Sequence, residues 1–319
     1  MTEAEGPLDA ADGIPAASHR LRLDLAYDGT AFSGWSRQPG LRTVQGELEA
    51  ALATVFRRTP VPPTLTVAGR TDAGVHALGQ VAHLDLDDAQ LGMLDAPHRG
   101  GDRSRAPMGA AALARRLNGI AGLDSDVWIA RATRAPAGFD ARFSAVWRRY
   151  EYRVADAVAL KDPRRRSATL WHPVELDVAA MDAAAAALTG LHDWAAYCKP
   201  REGATTIRTL QSFSWHRDAD GVLVARLQAD AFCHSMVRAL VGGSMAVGAG
   251  RLAPERLAGI RDEARRGSEF IVAPAKGLTL MEVGYPPDSE LAARAEQTRA
   301  RRDAGEVDAP HLTGSPSST

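Results

Sequence analysis

The sequence predicts an α+β protein built on a largely antiparallel sheet. Two observations carry this. Segments of period two, which suit half-buried strands, alternate with apolar helical stripes. The strand-like segments also come in adjacent pairs with helices set between them, not in strict βαβ alternation, and that favours antiparallel pairing.

"RLRLDLAYDG" (20–29) alternates apolar and polar residues as a strand does. "TVQGELEAALATVFRR" predicts a helix with Thr43 as its N-cap, Glu47 in its first turn, and Leu48, Leu52, Val55 and Phe56 on one face. "TLTVAGR" and "QVAHLDL" read as strands on either side of a glycine-rich loop. Residues 87–106 read as a polar, glycine-containing insertion. "PMGAAALARRLNGI" predicts a helix stopped near Gly119. "WIARATRA" and "AVWRRYEYRVA" predict strands, and "DVAAMDAAAAALTG" a helix capped by Asp177 and ended at Gly190. "TIRTLQSFSWHR" and "GVLVARLQADAF" predict a hairpin turning at Asp220-Gly221. Two helices follow, "HSMVRALVGGSMAVGAG" and one beginning near Pro254, and then a last strand "LTLMEVGY".

This gives four regions: an acidic tail over 1–18, α+β halves over 19–142 and 143–286, and a mostly unfolded tail over 287–319 with a short helix near 288–302. The chain has 319 residues and is 45% hydrophobic and 24% charged, as in soluble globular domains. No apolar run is long enough to span a membrane, and the acidic N-terminus lacks the features of a secretory signal. The two cysteines, Cys198 and Cys233, are far apart in sequence and form no C-x-x-C, so they are expected as separate buried thiols in a reducing cytoplasm. Of 38 Lys+Arg and 39 Asp+Glu, the tails hold four arginines and ten acids, which leaves 34 against 29 in the foldable part. Basic clusters recur there, "RRR" at 164–166 among them, and make an anionic partner plausible.

The segment "VAGRTDAGVHALGQVAHLDL" (67–86) carries the chemistry. It has no lysine and returns into a strand, so neither a P-loop nor a Rossmann turn fits. Asp72, His76, His83 and Asp85 lack the spacing of established metal motifs. A carboxylate projected from a tight turn, with Arg70 two residues away, remains as a catalytic reading. The same loop taken alone is equally consistent with a surface ion pair.

"GRTDAGVHALGQV" resembles the active-site motif of the tRNA pseudouridine synthase A family. "YDGTAFSGWSRQ", "TVQGELEAAL", "FDARFSAVWRRYEY", "ADAFCHSMVRALVG" and "APAKGLTL" resemble its other landmarks in order, over about residues 20 to 286. The resemblance implies the pseudouridine synthase fold, with two subdomains and an active-site cleft between them. It implies isomerisation of uridines at positions 38–40 of the tRNA anticodon stem-loop by a cytoplasmic homodimer, with no cofactor or metal. Carried over, Asp72 is the catalytic aspartate and Tyr150 packs against the target base. Arg70 assists flipping, Arg238 pairs with Asp72 and keeps it ionised, and Leu278 forms an apolar wall. Tyr27 and Tyr152 read as sheet or core residues. Asp140, Asp230 and Thr279 depart from the family's usual His, Asn and aromatic, which puts local substrate contacts in question. A non-catalytic tRNA-binding module and a metal-dependent hydrolase using Asp72, His76 and His83 stand as alternatives.

Overall fold

The computed structural model describes residues 18–95, 108–200 and 205–299. The strands are β1 (His19–Tyr27), β2 (Thr66–Val67), β3 (His76–Leu86), β4 (Val127–Arg134), β5 (Trp147–Ala155), β6 (Leu170–Trp171), β7 (Gly190–Asp193), β8 (Ile207–Arg217), β9 (Leu223–Ala229) and β10 (Leu278–Gly284). The helices are α1 (Val44–Val55), α2 (Asp88–Asp95), α3 (Ala110–Ala121), α4 (Val178–Ala186), α5 (Met236–Gly248), α6 (Arg256–Asp262) and α7 (Leu291–Arg299). The α+β class and the predominantly antiparallel pairing are as the alternation of segments predicts.

The strands form one open sheet in the order β4-β1-β3-β10-β5-β9-β8-β7, with β2 on β3 and β6 on β5. Pairing is antiparallel except for β10 with β3 and β5 with β6. The last strand therefore lies between strands drawn from early and middle parts of the chain. Its register sets Leu278 opposite Tyr152 and Leu280 opposite Tyr150. Opposed residues share a face of the sheet, and these four are buried on it.

Local chemistry explains most element ends. The Thr43 hydroxyl accepts from the Gly46 amide and starts α1, and Asp177 accepts from the Ala180 amide and starts α4. Gly221, in the left-handed region at φ 76°, makes the β8–β9 turn. Three expectations are corrected. The helix α3 runs past Gly119 to a cap at Gly122, whose positive φ of 86° favours glycine. The helix α4 ends at Ala186 with Ala187 as its C-cap, and Gly190 opens β7 instead. The 87–106 segment begins as the helix α2, which buries Gln90 and Leu94; Asp87 and Gln90 cap one another there. The rest of that insertion, the 1–17 tail and residues 300–319 lie outside the described residues. Within the C-terminal tail, α7 buries Leu291 and Ala295, and Arg294 donates to the Ala145 carbonyl.

The two cysteines also differ from expectation. Cys198 and Cys233 are 35 residues apart in sequence but lie together as a disulfide, with Cα atoms 5.8 Å apart. The backbone brings them together, since the Lys199 amide donates to the His234 carbonyl at 2.9 Å. Among the described residues, no helix is long and apolar enough to cross a membrane.

All five tyrosines, at 27, 150, 152, 197 and 285, are buried or nearly so. Burial pushes every phenol upward, Tyr27 to about 12 and the others further. The folded chain keeps protons that the unfolded chain releases near pH 10, so stability is intact below that pH and falls as pH rises through it. Each phenol contributes up to about 1.4 kcal/mol per pH unit. Absorbance at 295 nm is expected to stay flat past pH 10 and then rise together with the loss of circular dichroism. Tyrosine ionisation well before unfolding would contradict this.

Candidate active site

Asp72 sits on the short turn between β2 and β3. The turn closes through the Val75 amide, which donates to the Asp72 carbonyl at 3.2 Å. Gly74 takes φ 78°, and a Cβ there would stand 3.2 Å from that of Ala275. The glycine thus serves both the bend and the close approach of the 273–278 segment. Gly74→Ala is expected to cost about 1–2 kcal/mol and to lower activity, measured by denaturant unfolding and turnover.

The segment after β1 scaffolds this loop. The Trp35 amide donates to the Thr71 carbonyl at 3.0 Å, and the Gly74 amide to the Phe32 carbonyl at 3.1 Å. A Cβ on Gly29 would fall 2.0 Å from the Val75 carbonyl oxygen, so only glycine fits there. The Tyr27 hydroxyl meets the Thr71 hydroxyl at 2.8 Å. Gln80 donates to both Tyr27 Oη and the Gly69 carbonyl. Tyr27, read from sequence as a sheet or core residue, is both buried and the anchor of the residue beside Asp72.

Across from the loop is the start of α5, in which every residue is buried except Arg238. Its guanidinium donates through Nε to the Ala273 carbonyl at 2.7 Å, and Nη1 lies 3.4 Å from Asp72 Oδ2. The Ala273 amide donates back to the Arg238 carbonyl. The other oxygen, Oδ1, lies 3.5 Å from His234 Nε2. Arg70 is exposed, and its side chain has no hydrogen bond or ion pair among the described residues. The partner of Asp72 is therefore the distant Arg238 and not the neighbouring Arg70.

Tyr150, on β5, is 8% exposed and meets Phe232 edge-on at 5.2 Å between centroids. Its phenol is raised chiefly by burial, with the charges of Arg148 and Asp72 acting in opposite senses. Leu278 is 4% exposed, on the same face of the sheet as Tyr150. Asp72 and Arg238 are thus in contact, and Tyr150 and Leu278 stand on adjacent strands. A cavity of about 630 Å³ between α1, α3 and the start of β4 contains none of the five candidate residues.

Arg148 is a residue the sequence reading passed over. It is buried, and burial lowers its guanidinium. It donates to the carbonyls of Asp230, Ala68 and Arg142 at 2.6–2.9 Å. These belong to the entry of α5, the approach to the Asp72 loop and the turn before β5. The signal was its place in "WRRYEY", an arginine on the same parity as Tyr150 and Tyr152.

The departures from the family pattern have structural work. The Asp140 carboxylate accepts from the Arg142 and Phe143 amides, and that of Asp230 from the Thr209 and Ala231 amides. The side chains invoked by the hydrolase reading are engaged elsewhere. His76 accepts from the Gly29 amide through Nδ1 and reaches the Ser167 carbonyl through Nε2, and His83 accepts from the Ala141 amide.

Asp72, an acidic side chain on a locked turn, is thus faced by an arginine from a buried helix. The tRNA pseudouridine synthase family model matches residues 184–286. The tRNA pseudouridine synthase A of Leifsonia xyli subsp. xyli is 63% identical over 283 residues, covering 89% of this chain and 97% of that protein. Those of Frankia casuarinae and Streptomyces griseus are 56% and 54% identical, over 89% and 88% of this chain and 95% and 93% of theirs. The chain belongs to the tRNA pseudouridine synthase A family.

Proposed function

We propose that this chain isomerises uridine in tRNA to pseudouridine, at positions 38–40 of the anticodon stem-loop. The observation that carries the reading is the Asp72–Arg238 contact on a loop fixed by Tyr27, Gln80 and Gly74. In the reaction the N1–C1′ bond breaks, the uracil turns, and C5 bonds to C1′. The C5 proton leaves to solvent and N1 regains one, so the product is an isomer. The Asp72 carboxylate is the nucleophile. Arg238 grips it, and Tyr150 and Leu278 supply an apolar floor for the base. Arg70, exposed and without a partner among the described residues, fills the space that the extruded base leaves. Dispersed arginines hold the stem phosphates. No cofactor or metal enters these steps.

The active form in this reading is a cytoplasmic homodimer whose two subunits share one tRNA-binding cleft. Each subunit keeps the division into 19–142 and 143–286 halves.

The test is tritium release from tRNA labelled at uridine C5, with the product mapped by position. Release confined to positions 38–40 supports the reading. Tight tRNA binding without release would instead favour a non-catalytic binder.

A further inference from the structure

His234 has no role in the reading above, yet its Nε2 lies 3.5 Å from Asp72 Oδ1. Its side chain is 44% exposed, which excludes a packing explanation. Three restraints fix the backbone that carries it. The His234 carbonyl accepts from the Lys199 amide at 2.9 Å. Cys233, on one side, is joined to Cys198, and its carbonyl accepts from the Met236 amide. Ser235, on the other side, is held at φ 66°, one of two non-glycine residues in the left-handed region among those described. A serine is strained there, and such strain persists where the surroundings impose it. Here the strained residue turns the chain sharply between the imidazole and the first turn of α5.

We infer that His234 is a positioning residue for Asp72, gripping one carboxylate oxygen while Arg238 grips the other. An ionised carboxylate only accepts hydrogen bonds, so the nitrogen facing it carries the hydrogen. Two donors from one helix entry, four residues apart in the chain, fix the plane of the carboxylate. The remaining lone pairs then face the substrate in a constant direction. Arg238 alone leaves the group free to rotate about its Cβ–Cγ bond. This role rests on the reading of Asp72 as the reacting group.

The test is single-turnover kinetics of tritium release for the full chain and for His234→Ala, His234→Gln and Asp72→Asn, with tRNA affinity measured alongside. Glutamine places an amide donor close to where Nε2 stands. His234→Ala is expected to lower the rate at saturating tRNA about 10- to 100-fold and to leave tRNA affinity and melting temperature near wild type. His234→Gln is expected to recover most of the rate. Equal losses in both variants, a loss confined to affinity, or wild-type turnover in His234→Ala would each overturn the assignment. Full activity in Asp72→Asn would overturn the underlying reading instead, so the two failures are separable.

Discussion

Asp72→Asn is expected to abolish tritium release, lowering the rate by about 10⁴-fold or more, while tRNA binding and thermal stability stay near wild type. The change is nearly isosteric and keeps an oxygen for Arg238, but an amide is a poor nucleophile. Asp72 is half-exposed, and its side chain takes no part in holding the turn. The loop's anchors are backbone groups of Thr71, Gly69 and Gly74 and the Thr71 hydroxyl. Loss of chemistry with retained folding therefore separates Asp72 from a structural acid. Turnover within tenfold of wild type would remove it as the reacting group.

Arg148→Ala is expected to be the most destabilising single change described here, by about 3–5 kcal/mol in denaturant unfolding. Three carbonyls converge on this guanidinium, and alanine leaves them buried without donors. Arg148→Lys is expected to recover part of the loss, since one ammonium can reach some of the same oxygens. A cost below about 1 kcal/mol for alanine would mean that water replaces the side chain without penalty. Because Ala68 precedes the Asp72 loop by a few residues, turnover in any folded Arg148 variant is expected to fall as well.

The fold was largely legible because its strands and helices carry clean periods and their own caps, as at Thr43, Asp177 and Gly221. The errors fell where two glycines competed for one ending, as with Gly119 and Gly122, or where a short amphipathic stretch hid in a polar segment, as with α2. The site was legible in part. A motif can name Asp72 and Arg238, but only the fold shows that they touch. Arg70, two residues away in sequence, invited a local pairing that the turn does not make. His234, Arg148 and the Cys198–Cys233 contact join segments separated by tens of residues, and no local pattern encodes such a meeting.

The place of β10 has a further consequence for how the molecule is made. A ribosome releases the chain from its N-terminus, so β3 and β5 emerge long before the strand that lies between them in the sheet. Until residues 273–284 have emerged, Arg238 lacks the Ala273 carbonyl and Gly74 lacks Ala275. A nascent chain stalled before Ala273 would present a split sheet and no assembled site. Assembly of the site thus waits on the emergence of residues 273–284.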